Sequence, residues 1–276
     1  MMKYCDLHVH TTASDGSESP TDVVARAKGL GVSAIAVTDH DTCEGVPEAL
    51  AAGRELGIEV IPGIEVSVDY LGTYGIHVLG YFVDPSSDAF GRLLDWVIAE
   101  RKRRNHLIAE AMLADGIPIH IEELKERYPA SVVGRPHFAV ALVELGYAET
   151  VKDAFDRYLN KGCKYFRQRR YIPLKEGLQI IRDAGGKPVF AHPYQYQMDE
   201  SMFLSLAGTL RDAGAVGIEC VYSGYTEEQQ DYLRKIADHF GFCLTGGSDF
   251  HGVRKPHIEI GGPNVPYELL EKLKEA

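Results

Sequence analysis

The chain has 276 residues, of which 45% are hydrophobic and 25% charged, with a formal net charge of -11. That length and apolar content suit one large globular domain or a domain carrying an insert. The acidic balance argues against a broad nucleic-acid surface while leaving room for a local basic patch. No apolar run approaches the roughly 20 residues of a membrane-crossing helix. The opening Met1-Met2-Lys3-Tyr4-Cys5-Asp6 lacks the apolar core of a secretory leader, so a cytoplasmic protein away from membranes is expected. The five cysteines, Cys5, Cys43, Cys163, Cys220 and Cys243, form no Cys-x-x-Cys pair and suit a reducing compartment better than a disulfide framework.

Strand-like runs alternate with amphipathic helical stretches along the chain. Residues 4–9 read as a strand, 22–30 as a helix and 33–38 as a short apolar run suited to a buried parallel strand. A helix over 46–56 follows, then strands over 59–68 and 75–82 joined by the turn-like Asp69-Tyr70-Leu71-Gly72-Thr73. The second half continues with helices over 174–184, 202–213 and 227–240 and strands over 188–191, 216–221 and 242–245. About seven strands result, and the alternation predicts an α/β fold with a parallel, barrel-like or doubly wound sheet and its site at the strands' carboxyl ends.

Residues 88–161 break the rhythm, with helical patterns only, over 93–113, 121–127, 136–145 and 151–160. An all-helical block between strands reads as an inserted subdomain, a lid that sets substrate choice; a plain helical layer on the barrel is the other reading. The expected division is a barrel domain over 1–87 and 162–276 with a helical insert over 88–161.

Six of the eleven histidines fall with carboxylates at predicted strand ends. His8 and His10 end the first strand, where alternation lets both aim one way. His40, flanked by Asp39 and Asp41, ends the second; Glu65 lies near the end of the third, and His77 lies in its hairpin partner. His192 follows the strand over 188–191, Asp249 and His251 follow the last strand, and Asp15 lies in a nearby loop. So many costly polar groups at one end of a sheet call for a balancing cation. Mixed imidazole and carboxylate ligands suit manganese, zinc or iron(II), and nine candidates leave room for two or three divalent ions. Glu65 is the natural bridge, having two oxygens for two cations. A pair of ions sharing a lowered-pKa water points to hydrolysis of a phosphate ester, by a metal-bridging hydroxide attacking phosphorus in line.

Five segments in order, Asp6-Leu7-His8-Val9-His10-Thr11, Ala36-Val37-Thr38-Asp39-His40-Asp41, Pro62-Gly63-Ile64-Glu65-Val66-Ser67, Ala191-His192-Pro193 and Gly247-Ser248-Asp249-Phe250-His251, resemble the motifs of the polymerase and histidinol phosphatase (PHP) superfamily. The resemblance implies a distorted barrel of seven β/α units and a trinuclear metal site. It implies His8, His10, Glu65 and Asp249 around a first ion, Glu65, His77 and His192 around a second, and Asp15, His40 and His251 around a third, with Glu65, His192 and Asp249 as the catalytic set. The insert, with Val133-Gly134-Arg135-Pro136-His137-Phe138, is similar to that of the stand-alone phosphoesterases acting on 3′,5′-nucleoside bisphosphates, such as adenosine 3′,5′-bisphosphate, to leave the 5′-monophosphate. Some members of that group also shorten oligonucleotides from the 5′ end.

A phosphorylated small molecule is thus the expected partner, a nucleotide first and a short oligonucleotide end second, with no obligate protein partner. Arg135 reads as a phosphate holder through its fork of donors, with His137 beside it, or else as a surface residue at a helix start. A second basic cluster, Lys161, Lys164, Arg167, Arg169 and Arg170 among Tyr165, Phe166 and Tyr171, reads equally as a further phosphate contact or a solvated loop. Arg101-Lys102-Arg103-Arg104 reads as the wet face of an amphipathic helix. Lys187, His257 and Tyr222 are pocket candidates that periodicity does not place. Histidinol phosphate phosphatase and a non-catalytic metal-binding module are the alternative readings.

Overall fold

The computed structural model describes residues 3–128 and 133–276, so positions 1, 2 and 129–132 of the sequence-based domain boundaries lie outside the described residues. The elements in chain order are β1 (Tyr4–Val9), α1 (Pro20–Gly29), β2 (Ala34–Val37), α2 (Val46–Leu56), β3 (Glu59–Tyr70) and β4 (Tyr74–Tyr81). Four helices follow, α3 (Ala89–Ala114), α4 (Ile121–Arg127), α5 (Arg135–Glu144) and α6 (Val151–Ala154), the last continued by a π-helical turn over Phe155–Leu159. Then come β5 (Ile172–Pro173), α7 (Leu174–Asp183), β6 (Lys187–Phe190), α8 (Glu200–Asp212), β7 (Gly217–Tyr222), α9 (Glu227–Phe240), β8 (Cys243–Gly247), β9 (Val265–Pro266) and α10 (Tyr267–Glu275).

The chain divides into two compact units, residues 3–94 with 172–276 and residues 95–128 with 133–171. The first holds one sheet in the order β8-β7-β6-β4-β3-β2-β1-β9, with β5 paired to β3. Since β5 and β9 are two residues each, seven longer strands remain, as the alternation predicts. The sheet is nearly closed. His10 donates its N–H to the carbonyl of Phe250 at 3.0 Å and Asp249 donates to that of His8 at 2.8 Å, joining the ends of β1 and β8. The order departs from a fully parallel sheet at β4, which runs antiparallel to both β3 and β6. His77 therefore stands in the first half of its strand yet pairs with Ser67, beyond Glu65 on β3, and reaches the end of the barrel where the parallel strands finish.

Side-chain alternation sorts the core. Ala34 and Ala36 pack with Leu7, Ile61, Leu79 and Val189, while Ile35 and Val37 pack with Val23, Val24 and Ala27 of α1 and Ala49 and Ala52 of α2. The C-terminal α10, which strand and helix periodicity did not single out, adds Leu270 and Leu273 to the first cluster. Lys187 is turned to this helix: its Nζ donates to the carbonyls of Leu273 and Lys274 at 2.9 and 2.8 Å, so it caps a helix end rather than lining a pocket. His257 is exposed.

The second unit has its own core, built from Ile108 and Met112 of α3, Leu124 of α4, Phe138 and Leu142 of α5, and Leu159. Arg104 corrects the reading of residues 101–104 as a wet helix face: it is only 7% exposed. The second basic cluster is largely engaged, Arg170 with Glu100 at 2.7 Å, Lys164 with Asp115 at 2.7 Å, and Arg167 with the carbonyls of Lys164 and Phe166.

Two predictions follow from the way the barrel is closed and capped. A Cβ placed on Gly247 would meet His8 N and Cβ at 2.4 Å, a backbone neighbour that cannot swing aside. Gly247→Ala is therefore expected to cost about 1–3 kcal/mol in urea unfolding; a wild-type midpoint would show that β1 and β8 tolerate separation. Glu59 accepts from Lys274 Nζ at 2.6 Å and from the Tyr267 hydroxyl. Burial opposes its ionisation, but Lys274 and Tyr267 outweigh that and hold its carboxyl below the usual range. A lowered folded value contributes stability above the unfolded value and loses it as pH falls through the folded one. Glu59→Gln should thus cost less than about 1 kcal/mol at neutral pH, the pair being partly exposed, and nothing in acid, where the wild type is protonated too. A cost that persists in acid contradicts the ion-pair account.

Candidate metal centre

Glu65 and His77 stand inside β3 and β4, and the other site residues lie at the end of a strand or in the segment that follows one. The backbone of Glu65 on β3 donates to the carbonyl of Asp39 at 3.0 Å and accepts from Asp41 N–H at 2.9 Å, which ties the segment bearing His40 alongside it. Asp41, His192 and Asp249 have positive φ of 55°, 27° and 58°. Non-glycine residues in such conformations cost about 1–3 kcal/mol each and persist where surrounding structure overrides the preference.

Nine side chains converge: His8, His10, Asp15, His40, Glu65, His77, His192, Asp249 and His251 fall into four overlapping groups, each with ligand atoms within 4.8 Å of one another. The groups are His10, Asp15, His40 and His251; His8, His10 and Asp249; His8, Glu65 and His192; and His40, Glu65 and His77. Glu65, fully buried, is the centre. Its Oε2 lies 3.4 Å from His8 Nε2, 3.3 Å from His10 Nε2 and 2.9 Å from His40 Nδ1, and its Oε1 lies 3.0 Å from His77 Nδ1 and 2.8 Å from His192 Nε2. Asp249 Oδ1 stands 3.6 Å from His8 Nε2 and 3.3 Å from His10 Nε2; Asp15 Oδ1 stands 3.3 Å from His251 Nε2, 3.8 Å from His10 Nδ1 and 3.9 Å from His40 Nε2.

Outer partners fix which ring nitrogen faces inward. His8 Nδ1 pairs with Glu219 Oε1 at 3.1 Å, His192 Nδ1 with the Tyr196 hydroxyl at 3.1 Å, and His251 Nδ1 with the carbonyl of Asp249 at 2.8 Å. With Nδ1–H donated outward, each Nε2 lone pair is left for a cation. Glu219 also accepts the His192 N–H through Oε2 at 2.7 Å, so one buried carboxylate aligns two ring positions. Asp249 is held by its other oxygen, which accepts from the Tyr222 hydroxyl at 2.6 Å and Lys255 Nζ at 2.7 Å. Asp6 accepts from the N–H groups of Ser248 and Gly261 at 2.8 and 2.7 Å, stapling β1 to the segments after β8.

Burial works to neutralise Glu65, yet His40, His77 and His8 outweigh it and hold its carboxyl well below the usual carboxylate range. Asp249 is likewise held well below, burial being overcome by His8 and His10. Burial lowers the His40 imidazole, but Glu65 and Asp15 dominate and raise it to about 9.

The donor set fits divalent metal ions. Among the described residues, Glu65 Oε2, His10 Nδ1 and His40 Nδ1 are buried without a hydrogen-bond partner. His40 Nδ1 and Glu65 Oε2 are 2.9 Å apart yet off the line a hydrogen bond requires. His8 and His10 bring their Nε2 atoms within 3.2 Å of each other. Lone pairs aimed at common points, with no donor between them, are what a cation coordinated by nitrogen and oxygen needs.

All nine expected ligands thus lie together, while Arg135 and His137 belong to the helical unit. There, Arg135 lies over the Phe166 ring at 5.8 Å, and His137 Nδ1 accepts the Gly134 N–H at 2.8 Å at the start of α5. Glu219, Tyr196 and Lys255 were not singled out from sequence. Glu219 had a readable signal, a lone carboxylate inside the apolar run Val216-Gly217-Ile218-Glu219-Cys220-Val221, where an uncompensated charge would be costly. Tyr196 and Lys255 had none.

The family model described as the PHP domain matches residues 6–161. A 5′-3′ exoribonuclease of Haemophilus influenzae is 36% identical over 251 residues, covering 91% of this chain and 91% of that protein. A 3′,5′-nucleoside bisphosphate phosphatase of Chromobacterium violaceum is 30% identical over 261 residues, covering 94% and 91%. A crystal structure from Bifidobacterium adolescentis, described as a metal-dependent phosphoesterase, superposes with a TM-score of 0.79 at 30% identity, covering 98% of this chain and 95% of that one. With the nine-residue cluster at the barrel mouth and the motifs in order, the chain belongs to the PHP domain family.

Proposed function

We propose that the chain hydrolyses 3′,5′-nucleoside bisphosphates to 5′-monophosphates, with two or three divalent ions held around Glu65. It is a hydrolase of phosphoester bonds, and its substrate is a phosphorylated small molecule. The observation that carries the reading is the Glu65 carboxylate, fully buried and within 3.4 Å of five imidazoles. His8, His10 and Asp249 would share a first ion with Glu65, His77 and His192 a second with it, and Asp15, His40 and His251 would hold a third. Manganese, zinc or iron(II) suits these donors. When bound, such ions supply positive charge for a phosphoryl group and acidify a coordinated water.

The chain's own groups do the positioning. Glu65, through two oxygens, keeps the donors of two ions in register. Glu219 orients His8 and the His192 backbone, while Tyr222 and Lys255 keep the second oxygen of Asp249 away from the cluster. Arg135 offers a guanidinium fork for phosphate, and His137, its Nδ1 already used, offers Nε2. The helical unit selects the substrate, and the protein works in the cytoplasm. No helix of the described residues is long and apolar enough to cross a membrane. Short oligonucleotides carrying a 5′ phosphate are a second substrate class, favoured by the Haemophilus influenzae relative named as an exoribonuclease.

Phosphate release from adenosine 3′,5′-bisphosphate, a 5′-phosphorylated oligonucleotide and histidinol phosphate, with metal content measured on the same sample, tests the assignment. Turnover of the first with little on the third is expected; preference for histidinol phosphate would overturn it. Asp249→Ala should lose bound metal and more than about a hundredfold in turnover with its circular dichroism unchanged, since groups that merely orient a ligand are worth ten- to a hundredfold. Wild-type turnover in that variant would remove Asp249 from the centre.

A further inference from the structure

Lys255 stands at the metal centre without being one of its ligands. Its Nζ donates to Asp249 Oδ2 at 2.7 Å, whereas Asp249 Oδ1 is the oxygen that faces His8 and His10. The segment that carries it is fixed. Lys255 follows the short helical turn Gly252–Arg254 that begins directly after His251, and its N–H donates to the carbonyl of Gly252 at 3.1 Å. The N–H of Ile258 donates to the Lys255 carbonyl at 2.9 Å, and Ser17 Oγ accepts the Val253 N–H at 2.9 Å, which ties this segment to the loop bearing Asp15. All of these residues belong to the barrel unit.

Orienting Asp249 does not require a cation. The Tyr222 hydroxyl already donates to the same oxygen at 2.6 Å and is itself held by the Gln195 amide. A hydroxyl on a rigid ring fixes a carboxylate at lower entropic cost than an ammonium on a flexible four-carbon stem. What lysine adds is charge and donors. An ammonium has three donors, and among the described residues Asp249 takes one of them. The Asp249 side chain is 5% exposed and that of Lys255 is 34% exposed, so the ammonium reaches from a buried ligand toward solvent.

A phosphoryl group bound at an ion that Asp249 helps to hold would lie beside a ligand this ammonium touches. Charged donors make the strong hydrogen bonds to phosphoryl oxygens, and they act most where negative charge spreads over those oxygens in the transition state. We infer that Lys255 is a catalytic residue of the barrel, whose remaining donors bind the phosphoryl group that is hydrolysed. The ammonium keeps its protons and supplies hydrogen bonds and charge. The inference rests on phosphoester hydrolysis at this cluster and on no particular leaving group.

Inorganic phosphate, titrated calorimetrically into manganese-loaded protein, reads the contact apart from turnover. Lys255→Met should keep the wild-type metal stoichiometry and bind phosphate about ten- to a hundredfold more weakly, the worth of a charged hydrogen bond. Its kcat/KM for p-nitrophenyl phosphate should fall at least as far. Tyr222→Phe is the comparison: it should weaken manganese binding by about ten- to a hundredfold, yet bind phosphate as the wild type does once manganese is saturating. If Lys255→Met behaves as Tyr222→Phe does, losing metal and regaining phosphate affinity at saturating manganese, Lys255 only supports Asp249 and the inference is overturned. Wild-type phosphate affinity in Lys255→Met, or no phosphate binding by the wild type, overturns it too. Should Lys255→Met not fold, Lys255→Gln, which keeps a donor and loses the charge, decides by the same readouts. If the wild type binds phosphate but releases none from any ester, the phosphoesterase reading fails, while the titration still decides the contact.

Discussion

A fully buried carboxylate surrounded by imidazoles is the constraint on which the rest of the barrel end depends. Glu65 cannot remain ionised at zero exposure without positive charge close to both oxygens. The fold meets that demand by bringing five histidines from four places in the chain to one point: the end of β1, the loop after β2, the antiparallel β4 and the turn after β6. The positive φ of His192 and Asp249 belongs to the same requirement, because the chain must turn sharply at the strand ends to aim these side chains inward. Glu219, Asp6 and the hydroxyls of Tyr196 and Tyr222 then lock the rings and carboxylates that Glu65 gathers.

Much of this is legible in the chain because the chemistry is written at strand ends. His8 and His10, two apart, must share a face of a strand, and the alternation of apolar runs says which strands lie side by side. The antiparallel direction of β4 is legible in the short turn that makes it the hairpin partner of β3, but the register that sets His77 opposite Ser67, and so brings it to Glu65, is not. Supporting residues were hidden for different reasons. Tyr196 and Lys255 act through distances that tertiary folding alone creates, whereas Glu219 could have been found by asking why an apolar strand carries one acid.

Arg104 illustrates the opposite failure. Four basic residues in a row on a helix suggest a solvated face, because charged side chains usually have that fate. Helical geometry nonetheless turns one residue of any such run toward the core, and here Arg104 and Asn105 follow Glu100 into the interior of the second unit. The helical unit therefore carries its own polar chemistry on a core of Phe138, Leu142 and Met112.

The central claim is that the Glu65 cluster exists to hold cations. Anomalous diffraction from crystals of the purified protein, collected at the absorption edges of manganese, iron and zinc, tests it most directly. The account predicts more than one anomalous peak, with at least one bridged by the Glu65 carboxylate and ligated by His8, His10 and Asp249. A well-ordered cluster with no peak at any of the three edges, in protein that hydrolyses phosphate esters, would contradict it.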